Sequence, residues 1–103
     1  MIQTIHKGSL EYLAAEGISV PHAFTTRFGG VSTDYLSSLN LAPTRGDDPE
    51  NVVKNYEILG DALGFDPKNA VLARQVHSDI VYRAGEKDRG AGLFAPRLPD
   101  CDA

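Results

Sequence analysis

His77, in the run Arg74-Gln75-Val76-His77, is the residue of this chain best suited to metal or proton chemistry. Imidazole is the commonest protein metal ligand and the usual acid–base group near neutral pH. A plainer reading stands beside that one. No second ligand lies at a recognised metal spacing, so local sequence favours a partly exposed histidine bonded to a nearby carboxylate such as Asp79. His22, between Pro21 and Ala23, reads as a buried, hydrogen-bonded structural group, and His6 as a solvent-exposed one. Cys101 is the single cysteine. It would be a nucleophile if His77 activated it, but nothing around it lowers a thiol pKa, and an unreactive thiol is the better reading.

A second set of polar groups lies between Thr25 and Asp48, a run too polar and turn-rich for core. Gly29 and Gly30 follow an expected strand and permit close backbone approach. Arg27, Ser32, Ser38, Asn40 and Arg45 surround them. Arginine binds phosphate or carboxylate bidentately, and asparagine offers both a donor and an acceptor. The spacing is neither that of a phosphate-binding GxxxxGK[ST] loop nor that of a dinucleotide fingerprint. Asp47 and Asp48 look like a carboxylate pair, yet helix capping accounts for Asp48 and turn formation for Asp47.

The elements that must position these groups follow from patterning. Ile18, Val20, His22 and Phe24 alternate, which predicts a strand over 18–25, with Pro21 marking an edge or bulge. Residues 27–48 read as loop. Asp48, Pro49 and Glu50 predict a helix start, Val52, Tyr56, Leu59 and Leu63 form one apolar stripe, and Gly64 followed by Asp66-Pro67 predicts its end. Residues 70–73 and 80–84 are short β-prone runs, and 85–99 reads as loop. Residues 1–17 fit a strand or a helical turn equally well. The order is α+β.

The 103 residues suit one small domain. A net charge of −4, with ten Lys and Arg spread along the chain, gives no basic stripe for nucleic acid. The apolar runs are far shorter than the roughly 20 residues needed to cross a bilayer. One cysteine and no secretion-type leader make the cytoplasm the expected location.

Four blocks now stand in order: His22-Ala23-Phe24-Thr25-Thr26-Arg27-Phe28-Gly29-Gly30-Val31-Ser32, Ser38-Leu39-Asn40-Leu41, Gly46-Asp47-Asp48-Pro49-Glu50-Asn51-Val52 and Arg74-Gln75-Val76-His77. Together they resemble the N-terminal part of the YfiH-type family, also called the multicopper polyphenol oxidase or laccase-domain family. Its members are also described as purine nucleoside phosphorylases acting on adenosine, inosine and methylthioadenosine, with adenosine deamination as a second activity. The resemblance implies an α+β fold of mixed β-sheets flanked by helices. Residues 1–103 would be the N-terminal part of a single domain, stopping mid-domain. It implies zinc, purine nucleoside and phosphate as cofactor and partners, without nucleic acid or membrane. His77 would be a metal ligand and acid–base group, Arg27 and Asn40 would contact phosphate, sugar or base, and Gln75 would orient the site. The family's other two metal ligands sit in Ala-Asp-Cys and His-Ala-Gly-Trp-Arg-Gly blocks, and neither block occurs here. Cys101 matches a position ahead of the former, so that cysteine's role is not carried onto it. Two smaller departures are Asp34, where the family usually has glycine, and Tyr56, where an arginine often follows the residue matched by Asn55. Two rival readings remain: a copper-dependent polyphenol oxidase, which three scattered histidines favour less, and an inactive fragment or binding module.

Overall fold

Gly8 and Ser9 form a two-residue turn between Lys7 and Leu10, with Gly8 at φ +63°. Such a turn matches the twist of two antiparallel strands. Strand β1 (Ile2–Lys7) pairs with β2 (Leu10–Ala15) over six residues, from Ile2 opposite Ala15 to Lys7 opposite Leu10. This hairpin occupies the stretch that patterning left undecided. The computed structural model describes residues 1–73, 75–99 and 101. Arg74 of the Arg74–His77 run lies outside the described residues, as do Asp100, Asp102 and Ala103 beside Cys101.

The expected strand over 18–25 contracts to β3 (Phe24–Thr25), which pairs antiparallel with β2 through Tyr12–Thr25 and Leu13–Phe24. Proline 21 cannot donate to a ladder. Continuing the register would place residue 22 opposite Ala15, and there the His22 side chain takes over. Its Nε2 accepts the Ala15 N–H at 2.9 Å, while Nδ1 lies 2.8 Å from the Val20 carbonyl. Since Nε2 is the acceptor, Nδ1 carries the proton and donates to Val20. The half-buried imidazole is thus structural, as its sequence context indicates.

Helix α1 (Pro49–Leu63) begins and ends where its local signals place it. Asp48 caps it by accepting the Glu50 N–H at 3.0 Å, and Gly64 closes it at φ +84°. The Lys7 Nζ donates to the Ala62 carbonyl at 2.7 Å, satisfying a last-turn acceptor from the hairpin. Val52, Tyr56 and Leu59 are buried. Leu59 joins Leu10, Tyr12 and Leu39 in the core between hairpin and helix, with Ile58, Ala62 and Leu63 packed against it. The arrangement is α+β. No helix among the described residues is long and apolar enough to cross a membrane.

The chain divides into two compact units, Met1–Phe65 and Asp66–Ala103. In the second, the β-prone runs 70–73 and 80–84 hold no strand among the described residues. Their polar backbone is met otherwise: the Leu72 N–H donates to Ala91 and the Gly90 N–H to the Ala70 carbonyl, at 3.0 and 2.7 Å. Ala91, Leu98 and Cys101 form a small core with Val71 and Tyr82. Cys101 is 1% exposed, so its thiol is a packing group. Asp88, buried in a single 3-10 turn (Glu86–Asp88), accepts from the Tyr82 hydroxyl and the Gly85 N–H at 3.0 and 2.8 Å. The bond to Asp88, with burial and that carboxylate's charge, pushes the Tyr82 pKa up.

Candidate functional site

The loop over 27–48 is irregular apart from a 3-10 turn at Asp34–Leu36, and it is ordered by backbone and side-chain hydrogen bonds together. The Arg27 carbonyl accepts the Ser38 and Leu39 N–H groups at 2.6 and 2.9 Å, and the Ser38 hydroxyl at 3.0 Å. The same Ser38 Oγ accepts the Gly29 and Gly30 N–H groups at 3.1 and 3.2 Å. Each glycine sits where a side chain has no room. A Cβ at Gly29 would strike the backbone of Leu10, and one at Gly30 the backbone of Ser38 and Leu39 and the Asn55 amide. Asp34 takes φ +55°, the left-handed region that aspartate tolerates better than most residues.

Asn55, fully buried on α1, binds the loop to the helix. Its Oδ1 accepts the Val31 N–H at 2.8 Å, and its Nδ2 donates to Ser32 Oγ and the Asn40 carbonyl at 2.9 and 2.8 Å. Both amide hydrogens and one carbonyl lone pair are therefore used. Ser32, itself buried, donates to the Asp47 carboxylate. Asp47 also accepts from Asn40 Nδ2, Asn51 Nδ2 and the Asp48 N–H at 3.2, 3.3 and 2.8 Å. The Ser32 bond, with those from Asn40, Asn51 and Asp48, holds the Asp47 carboxyl below its usual range, against an opposing push from burial. Asp47 does more than shape a turn: it is the acceptor on which three polar side chains converge. Tyr56 adds a further tie, its hydroxyl donating to the Leu41 carbonyl at 2.7 Å, and burial pushes its pKa up.

These ties leave a cleft of ≈ 700 Å³ in the first unit, lined in part by Arg27, Tyr35, Ser37, Asn40 and Arg45. Arg27 Nε donates to the Ser37 carbonyl at 3.2 Å, and the Tyr35 hydroxyl donates to the Arg45 carbonyl at 3.0 Å. Asn40 is already engaged. Its Nδ2 donates to the Ala42 carbonyl and Asp47, and its Oδ1 accepts the Ala42 N–H, each at 3.1 or 3.2 Å. One Oδ1 lone pair is left for a ligand. Of the residues singled out from sequence, Arg27 and Asn40 thus meet in one cleft, and Arg45 joins them.

Gln75 and His77 lie in the second unit, both exposed. His77 holds φ +62°, a conformation seldom taken by a residue other than glycine and one often found at functional positions. Among the described residues, no group of three or more His, Cys, Asp or Glu is placed to hold a metal ion. Zinc sites use three or four protein ligands, and the described residues do not form such a set. Sequence reasoning missed Asn55, Ser32 and Asp47 as a unit. Asn55 stands three positions after Val52 and four before Leu59, on the apolar stripe of α1, and that spacing is the signal that could have found them, because a fully buried amide must be paired.

Known proteins resemble the chain along most of its length. A 45% identity over 75 residues links it to a purine nucleoside phosphorylase of Deinococcus radiodurans, covering 73% of this chain and 29% of that protein. Purine nucleoside phosphorylase YlmD of Geobacillus stearothermophilus is 36% identical over 80 residues, 76% of this chain and 29% of its own. A counterpart in Staphylococcus saprophyticus is 30% identical over 86 residues, 84% of this chain and 33% of its own. The chain thus spans about a third or less of the length of the curated relatives it matches. The family described as multi-copper polyphenol oxidoreductase laccase matches residues 21–103, four-fifths of the sequence and all of both the cleft loop and the Gln75–His77 run, and the chain belongs to that family.

Proposed function

We propose that the complete protein is a purine nucleoside phosphorylase to which these residues contribute an anion-binding cleft and one metal ligand. The observation that carries the reading is the agreement of several relatives, all named purine nucleoside phosphorylase, over the stretch that holds the cleft loop. In phosphorolysis a phosphate oxygen bonds to C1′ of the nucleoside. The C1′–N9 bond breaks, its electron pair leaves with the purine, and the proton that hydrogen phosphate carried passes to the base, giving ribose 1-phosphate and the neutral purine. Arg27 is suited to hold the phosphate, because a guanidinium pairs with an oxyanion through parallel N–H donors. Asn40 shapes the wall beside it and has one acceptor to offer a sugar hydroxyl or a base N–H.

His77 is assigned as a zinc ligand and acid–base group, with Gln75 orienting the site. Its co-ligands would come from chain beyond the described residues, so no step here runs through a metal. Adenosine, inosine and methylthioadenosine as substrates, and adenosine deamination as a second activity, rest on the family resemblance; a cytoplasmic location rests on the single cysteine.

Phosphorolysis of inosine by the complete protein, followed as hypoxanthine and ribose 1-phosphate, tests the reading. His77→Ala should remove both zinc content and turnover; an undiminished rate would sink the His77 assignment. The family's description favours a second reading, copper-dependent oxidation of phenols, with copper as the metal in place of zinc. Oxidation of a phenol with no phosphorolysis would establish that reading instead.

A further inference from the structure

Ten residues line the cleft of the first unit, and among them two, Arg27 and Arg45, are cationic and none is acidic. That imbalance runs against the chain as a whole, which carries 14 Asp and Glu against 10 Lys and Arg. Carboxylates are common enough to neutralise a surface arginine almost anywhere on such a protein. Yet among the described residues the one basic group within salt-bridge reach of a described carboxylate is His6, 3.9 Å from Glu11. The nearest carboxylate in sequence to Arg45 is Asp47, and it is committed to Ser32, Asn40, Asn51 and the Asp48 N–H.

Both arginines are held at the backbone. Three donors converge on the Arg27 carbonyl, its Nε is aligned by the Ser37 carbonyl, and the Tyr35 hydroxyl fixes the Arg45 carbonyl. At Arg27 the side chain itself is held, which reduces the ordering cost that a flexible arginine would otherwise meet on binding, whereas at Arg45 the bond is to the backbone. Two guanidiniums on one cleft whose lining holds no acid suit a doubly charged oxyanion, since a single charge would leave one guanidinium unmatched. We infer that Arg45 acts with Arg27 as a two-arginine clamp for a phosphate dianion, making Arg45 a specificity-determining residue of this cleft. The inference rests on the proposed function for the identity of the ligand as a reactant, but not for the binding itself.

Direct binding separates the two. Inorganic phosphate is titrated into the 103-residue chain at constant chloride, with amide shifts at residues 27–46 as readout, and adenosine 5′-monophosphate is titrated in parallel. Saturable shifts confined to the cleft loop are expected, and whichever ligand saturates first identifies free phosphate or a phosphate ester as the source. Arg45→Gln and Arg27→Gln should each weaken binding about tenfold, the effect of losing one charge-assisted hydrogen bond. Arg45→Lys should recover part of the loss, and Lys54→Gln, an exposed cation of α1 outside the cleft, should change nothing. The clamp is overturned if neither ligand saturates, or if Arg45→Gln binds as tightly as the unaltered chain. Phosphate binding by this chain without phosphorolysis by the complete protein would leave the clamp standing and remove the proposed reaction.

Discussion

Asp47 shows how one carboxylate can organise a loop without touching a ligand. Four donors reach it, and each prefers the ionised form. Its folded-state pKa is therefore depressed, so its contribution to stability is fully present above the unfolded value near 3.8. That contribution is lost as pH falls through the lower folded value. Acid titration of the folded chain should accordingly show a transition that Asp47→Asn flattens, and Asp47→Asn should be less stable than the parent at neutral pH. An amide can satisfy only part of that donor set, since half of it donates. Unfolding by urea at pH 7 and at pH 3 checks both statements: equal losses at the two pH values would contradict them. Asn55 works in the same way from the helix side, where its single amide serves two loop residues and one backbone N–H.

The elements differ in how far they could be read from sequence. Helix α1 was legible because its signals are local: an aspartate cap, proline at the first position, an apolar stripe and a closing glycine. The hairpin was not, because β1 lies exposed along most of its length and shows no clear alternation of inward and outward residues. The turn at Gly8-Ser9 was the one local clue. The strand over 18–25 was overestimated for a different reason, a side chain replacing backbone as the partner of Ala15. In the loop, the candidate residues were legible but their mutual bonding was not, since Asn55 and Ser32 stand 23 residues apart and no local pattern joins them. The two glycine positions give a contrast at this scale. Gly64→Ala meets no neighbouring atom and suffers only its left-handed backbone, a loss of about 1 kcal/mol. Gly30→Ala drives a methyl into backbone and the Asn55 amide, and should cost about 3 kcal/mol or more. Denaturation midpoints of the two variants would reveal equal losses if the loop could yield.

At the scale of the molecule, the cleft and His77 belong to different compact units, and the metal donors that the described residues supply are too few for zinc. On the proposed function, these 103 residues incubated with inosine, phosphate and zinc should show no turnover above background, whereas the complete protein should; clear turnover by the 103 residues would overturn the proposed need for further metal ligands. The first unit also separates scaffold from chemistry. The main side-chain network runs through residues 27–32, 38–42 and 47, while Pro43, Thr44, Arg45 and Gly46 form an exposed tip held by the Tyr35 hydroxyl at the Arg45 carbonyl. Loops usually absorb insertions anywhere along their length. Here the anchored stretches cannot, because lengthening them would pull donors off Ser38, Asn55 or Asp47, but the side chains of the tip can be exchanged while the Tyr35 bond to the Arg45 backbone is kept. Since Arg45 sits on that tip, lineages could retune which anion the cleft prefers through single substitutions, leaving the folding machinery of the domain untouched.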